Sequence, residues 1–246
     1  MTALLARRLL AEALGTALLA AAVIGSGIAA SRLSPGDVGL QLFENAAATA
    51  AALVAVILAL GPVSGAHLNP VVTIADRLFG GVSTGEAAGY VGAQLLGGAL
   101  GAVVANVMFS QPAVELSTQV RRSGALWSSE VVATFGLLVV IFGVVRSGRA
   151  AAAPLAVGAY IGGAYFFTSS TSFANPAVTL ARTLSDTFSG IAPGSVAPFV
   201  VAQVVGAALA VGAIKVLYPD VRAAAADVVM PHPDNAAALA AGSGGG

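Results

Sequence analysis

The sequence has no cysteine, two histidines, and only eleven basic and eleven acidic side chains in 246 residues. Without cysteine there is no disulfide, thiolate metal site, iron–sulfur cluster or cysteine nucleophile, and two histidines cannot build a three-histidine zinc site. No cofactor, no metal and no enzymatic chemistry are therefore expected. A net charge of zero gives no electrostatic reason for a nucleic-acid partner. Charged residues make up 9% of the chain and apolar ones 57%, where soluble domains carry about 25% charged. The polar surface of a water-soluble monomer is missing, so the expected solvent is a lipid bilayer.

At about 20 apolar residues per spanning helix, six spans use about 120 residues and leave room for little beyond loops. The first apolar run, 9–30, follows Arg7 and Arg8. It is longer than the roughly 7 to 15 apolar residues of an export signal, contains Glu12, and is followed by similar runs, so it reads as a span. Runs at 45–61, 84–109, 127–146, 151–168 and 195–218 complete six. Two shorter segments, 70–79 and 176–188, are helix-like but half the necessary length. Ten residues rise about 15 Å, so two such pieces end to end match a hydrocarbon core of about 30 Å. The stretch 219–246 is rich in Ala, Pro, Asp and Gly, and reads as a disordered tail in which His232 has no role.

Basic residues orient the chain. With the N terminus in the cytoplasm, Arg7, Arg8, Arg77, Arg146, Arg149, Lys215 and Arg222 are inside, against Arg32, Arg121, Arg122 and Arg182 outside. Both termini are then cytoplasmic. Trp127 and Tyr218 stand at span ends, where interfacial aromatics belong.

The two halves repeat one another. Glu12 and Thr16 match Glu130 and Thr134, and Asn69-Pro70-Val71-Val72-Thr73 matches Asn175-Pro176-Ala177-Val178-Thr179. Tyr90, Ala93, Gln94 and Gly97 match Phe199, Ala202, Gln203 and Gly206. The offsets are 118, 106 and 109 residues, in the same order, so loop lengths alone separate copies at about 5–110 and 125–218 of a domain covering 1–218. Three spans per copy is an odd number, and the second copy must enter the membrane from the opposite side. The expected fold is an all-α membrane protein of six transmembrane helices plus two re-entrant half-helices, an inverted repeat. In such folds the functional site lies near the midplane, where broken helices aim their ends.

Asparagine is a preferred N-cap and proline is preformed for the first helical position. A helix N terminus carries roughly half a positive charge and free N–H donors. Inside a membrane it is tolerated only where it is buried in protein or lines a wet cavity. If the side-chain oxygens of Asn69 and Asn175 cap their own helices, their amide N–H groups are free to face that cavity. A passing water accepts two hydrogen bonds through its oxygen, which interrupts the donor–acceptor chain that proton hopping needs. The two dipole ends repel cations, while residues 65–68 and 172–174 offer backbone carbonyls as acceptors. These parts describe a narrow, uncharged, proton-tight channel.

The stretch from Ser64 to Thr73, with His67, Asn69, Pro70 and Val71, and its partner Asn175, Pro176 and Ala177 resemble the two half-helix motifs of the aquaporin and aquaglyceroporin family. The Glu12 and Glu130 blocks and the Ala-Gln-x-x-Gly blocks stand at the family's places, so the resemblance covers about residues 5–218. It implies a pore in every protomer, assembly as a homotetramer, and a passive channel in a bacterial plasma membrane for water, glycerol or neutral metalloid species such as arsenous acid.

The chain departs from the family pattern in two places. Val71 stands for the usual alanine, which adds bulk near the constriction. Val178 occupies the place, three residues after the second asparagine, where most members carry the filter arginine. Arg182 is seven residues after Asn175, nearly above it and about 6 Å beyond the level of Val178 along a helix, and is not expected to replace that guanidinium. The other filter positions, twenty residues before Asn69, and twelve and three before Asn175, are Thr49, Gly163 and Ser172, with Gly162 the alternative to Gly163. Water-selective members usually carry an aromatic and a histidine at the first two. A ring of Thr49, Gly163, Ser172 and Val178 is wider, uncharged and partly apolar, which favours solutes larger than water. Family members with valine in the arginine's place resemble those linked to arsenite handling.

Glu12 and Glu130 read as structural, each carboxylate accepting N–H groups of the irregular backbone before a half-helix. His67 reads as a packing and hydrogen-bonding residue or as shaping the inner pore mouth. Alternatives are a strict water channel and a secondary transporter, which shares inverted repeats but normally needs a buried charge to couple an ion. A membrane hydrolase using His67 and Ser64 lacks an orienting acid at convincing spacing.

Overall fold

A computed structural model describes residues 2–219; the C-terminal tail, with His232, lies outside the described residues. All regular structure among the described residues is helical. The α-helices are α1 (Ala3–Leu33), α2 (Val38–Ser64), α3 (Pro70–Phe79), α4 (Thr84–Met108), α5 (Gly124–Arg146), α6 (Ala153–Phe167), α7 (Pro176–Ala181) and α8 (Val196–Leu217). Six of them, α6 together with the 3₁₀ turn before it, are long and apolar enough to cross a bilayer. The helices α3 and α7 are too short to cross, and the fold is the expected six spans with two half-helices.

Caps decide several boundaries that hydropathy misses. Helix α2 starts at Val38, before the apolar run begins, because the Asp37 side chain accepts from Leu40 N and caps it. Helix α4 opens on a capping box between Ser83 and Glu86. The second half-helix ends earlier than the expected 176–188: α7 stops at Ala181 and tightens into a 3₁₀ turn, Arg182–Leu184. Its last carbonyls bond outside the helix, with Ser117 N donating to Thr183 O, Glu115 N to Leu184 O and Ile191 N to Arg182 O. The loop after α4 and Ile191 of the loop after α7 thus take the carbonyls that further helix would have used.

The chain crosses alternately, so residue 3 and the end of α8 share one face, here the near face, and loops 109–123 and 185–195 form the far face. Helices α1 and α4 approach until a Cβ on Gly97 or Gly101 would collide with the backbone of Ala13 or Ala17. At the matching place in the second half, a Cβ on Gly206 would meet the Val131 carbonyl. With no hydrophobic drive between helices in lipid, this backbone proximity supplies the packing. Gly101→Leu is expected to destabilise the fold by about 1–3 kcal/mol through overpacking, read as a lower melting temperature of detergent-solubilised protein.

Candidate functional site: a lumen between two half-helices

The segments leading into α3 and α7 have the same unusual backbone. Ala66 and Leu68 have φ of 45° and 51°, and Ser172 and Ala174 have φ of 51° and 47°, all left-handed and none glycine. These are the third and first residues before each asparagine. Such conformations cost of order 1–3 kcal/mol each and persist only where neighbours impose them. Here the neighbours are two carboxylates. Glu12 accepts from His67 N (3.0 Å), Leu68 N (2.8 Å), the Ser64 hydroxyl (2.6 Å) and Gln94 Nε2 (2.8 Å). Glu130 accepts from Phe173 N (2.9 Å), Ala174 N (2.9 Å) and Gln203 Nε2 (2.6 Å). Both glutamates are fully buried. Each glutamine also donates to a threonine of its half-helix, Gln94 to Thr73 and Gln203 to Thr179, both at 2.9 Å.

Asn69 and Asn175 cap α3 and α7 through their side-chain oxygens, which accept from Val71 N (3.1 Å), and from Ala177 N (3.0 Å) and Val178 N (3.2 Å). Each amide nitrogen also reaches across: Asn69 Nδ2 donates to Ala174 O and Asn175 Nδ2 to Leu68 O, both at 2.8 Å. One hydrogen of each amide therefore ties the two half-helices together, and one remains for the lumen. The sequence alone left both free.

The lumen runs past both asparagines. Its polar side carries the segments 66–69 and 172–175, and Leu53, Ile57, Leu137, Ile141 and Val157 are among its apolar residues. Towards the near face it meets His67, whose Nδ1 lies 3.1 Å from Thr73 Oγ1 and whose Nε2 lies 3.6 Å from Asp76 Oδ2. Towards the far face it meets Thr49, Tyr165, Ser172, Val178 and Arg182.

The family model for the major intrinsic proteins matches residues 1–172. The chain belongs to the major intrinsic protein family. It is 48% identical over 218 residues to an aquaglyceroporin, AqpS, of Rhizobium meliloti (strain 1021), covering 89% of this chain and 93% of the relative. A probable aquaporin of Archaeoglobus fulgidus, AqpM, is 33% identical over 85% of this chain and 96% of its own. Among solved structures, the aquaglyceroporin of Plasmodium falciparum superposes with a TM-score of 0.64 at 23% identity, covering 88% of this chain and 98% of that one, which speaks for the fold. The protein is thus a multi-pass integral membrane protein.

Against the major intrinsic protein pattern, the sequence-derived ring needs correction. Gly163 is exposed on the outer side of α6, and a Cβ there would touch only Phe167, at 3.9 Å. Gly162 faces Ala50 instead of the lumen. The residues of α6 that reach the lumen are Val157, Ile161 and Tyr165. Two residues along a helix turn the side chain through about 200°, so a gapless count from Asn175 chose the lipid side. Tyr165 lines the wall where Gly163 was expected, and its hydroxyl lies 3.1 Å from Thr49 Oγ1. Val71 is packed in the core and does not line the lumen, so its bulk acts on packing and not on the constriction. Val72, which the register pairs with Val178, does line it. Pro70, Pro176 and Ala177 are likewise buried behind the wall.

Arg182 differs most from its expected place. It is 2% exposed and stands in the lumen wall with Thr49, Ser172 and Val178; seven steps of about 100° bring it back to the face of Asn175. Ser64, raised as a nucleophile, is fully buried, and its hydroxyl donates to Glu12. Glu130→Ala strands two buried N–H groups at about 1–3 kcal/mol each, whereas Glu130→Gln keeps an acceptor. The alanine variant is expected to melt well below the glutamine variant, and to lose water flux in reconstituted vesicles.

Proposed function

We propose that the protein is a passive channel for water, glycerol and other small uncharged solutes, including neutral metalloid acids such as arsenous acid, with one pore per chain. The observation that carries this reading is the lumen in which two half-helix N termini meet at Asn69 and Asn175. Each asparagine keeps one amide hydrogen for the lumen, so a water between them accepts twice and has no place in a proton wire. The facing dipole ends add a barrier to cations.

Selectivity in this reading lies at Thr49, Tyr165, Ser172 and Val178. The Ser172 hydroxyl is buried and has no hydrogen-bond partner among the described residues. Val178 and Ile161 in the lumen wall suit a polyol's carbon edge. Valine in the place of the family's arginine leaves room for a solute larger than water, which favours this reading over a strict water pore. The domain reading is two inverted repeats, about 5–110 and 125–218, supported by the matched carboxylate, asparagine and glutamine contacts in the two halves. Glu12, Glu130 and His67 act as supports of the pore and not as permeant ligands.

Stopped-flow shrinkage of proteoliposomes tests the filter. Val178→Arg is expected to reduce glycerol and arsenous acid flux at least about tenfold, the cost of ~1.4 kcal/mol or more at a narrowed filter, while water flux stays comparable. Equal glycerol flux in wild type and variant would overturn the wide filter.

The orientation proposed places the near face, with both termini, in the cytoplasm of a bacterial plasma membrane, on the charge count of its loops. The absence of native cysteine makes the test direct. Ser123→Cys on the far face is expected to react with a membrane-impermeant maleimide on intact cells, and Ser83→Cys only after permeabilisation. Assembly as a homotetramer belongs to the same proposal and predicts a solution mass of four 23.9 kDa chains.

A further inference from the structure

We infer that Arg182 is the selectivity guanidinium of this pore: from the seventh position after Asn175 it turns back into the lumen, repels cations and offers hydrogen bonds to neutral solutes. This rests on the channel reading above. Valine at 178 leaves the family's place without a charge, and Arg182 supplies one from another position.

Three observations support the assignment. The first is burial without a contacting carboxylate. Arg182 is 2% exposed, and no carboxylate pairs with it among the described residues. Arginine stays protonated in proteins, and a buried charge without a counter-ion is costly. It is sustained here by water in the lumen and by two fixed contacts. Its guanidinium carbon stands 3.4 Å over the centre of the Phe173 ring, and its Nε donates to Ser189 O. No described residue accepts from Nη1 or Nη2, which leaves those donors for a solute.

The second is a mounting that fixes its direction. The Ser189 hydroxyl donates to Val23 O on α1 at 2.9 Å, and a Cβ on Gly27 would collide with that hydroxyl. The loop holding Arg182 is therefore docked against the backbone of α1. Arg121 lies 5.2 Å from the centre of the same Phe173 ring, and donates to Gly190 O and Phe188 O at 2.8 and 3.3 Å. It adds positive field to the far mouth and leaves solute contact to Arg182.

The third is the repeat. Asp76 stands seven residues after Asn69, as Arg182 does after Asn175, and His67 and Phe173 stand two residues before. In each half the later residue meets the earlier one: Asp76 with His67, and Arg182 with Phe173. The contact belongs to the geometry of the repeat, and only the charge differs. Arg182 lines the lumen towards the far face, whereas Asp76 is buried behind His67 and does not line it.

The test uses purified protein in proteoliposomes, with potassium leak followed by a potential-sensitive dye and water flux by stopped flow in the same vesicles. Arg182→Ala is expected to raise the ratio of potassium to water permeability at least ~30-fold, as removal of a unit charge beside a low-dielectric path implies. Arg182→Lys stays tight, and Val178→Arg placed in the Arg182→Ala background restores tightness. Arg182→Ala vesicles that conduct water yet remain as tight as wild type would overturn the inference. If Arg182→Ala conducts no water, Arg182→Met, which keeps a chain over the Phe173 ring, gives the same two readings. Wild-type vesicles that pass water but no glycerol would refute the wide filter while leaving the cation measurement decisive for Arg182.

Discussion

The structure depends on one constraint: backbone N–H groups cannot be left without acceptors at membrane depth. A re-entrant half-helix breaks a span and exposes such groups at its start, where each unsatisfied one costs several kcal/mol in lipid. In this chain two buried glutamates answer that cost. Glu12 and Glu130 each accept the two N–H groups just ahead of an asparagine, while the asparagine oxygens accept those just after it. Left-handed turns at Ala66, Leu68, Ser172 and Ala174 aim the donors at the carboxylates. The same turns set the strip of carbonyls along the polar side of the pore.

The two halves are joined as well as repeated. Each asparagine donates to the carbonyl preceding the other, so neither half-helix can shift along the pore without breaking a buried bond of the second. That reciprocity fixes the two half-helix ends against each other at the midplane. The far mouth is built differently, by loop 109–123 binding the end of α7 and by the Phe173 ring that carries two guanidinium groups. The repeat therefore gives the pore a symmetric centre, while the far mouth has contacts of its own. A charged side chain, Arg182, stands in the lumen wall beside Thr49, Ser172 and Val178.

Low charge, six apolar runs, two short segments and three matched motif blocks were legible before any coordinates. They led to the lipid environment, the span count, the inverted repeat and the two asparagine-proline ends. The filter was less legible, for a reason of phase. Each step along a helix turns about 100°, so two residues of uncertainty between α6 and Asn175 exchange the lumen side for the lipid side, as happened at Gly163 and Tyr165. Val72 was within reach, because the repeat register pairs it with Val178. Arg182 was not, since its place depends on where α7 stops and on amides contributed by residues about 65 positions earlier in the chain.

By itself the sequence determined the solvent of this protein, its duplication and the caps at its centre, because hydropathy, repeat spacing and capping are local properties readable along one dimension. Tertiary structure alone decided which side chains face the pore. Helix phase, the end of α7 and the docking of Ser189 on α1 are set by contacts between distant segments. Helix spacing brings residue 182 to the face of Asn175, but the direction of its guanidinium is set by Ser189, which another helix holds.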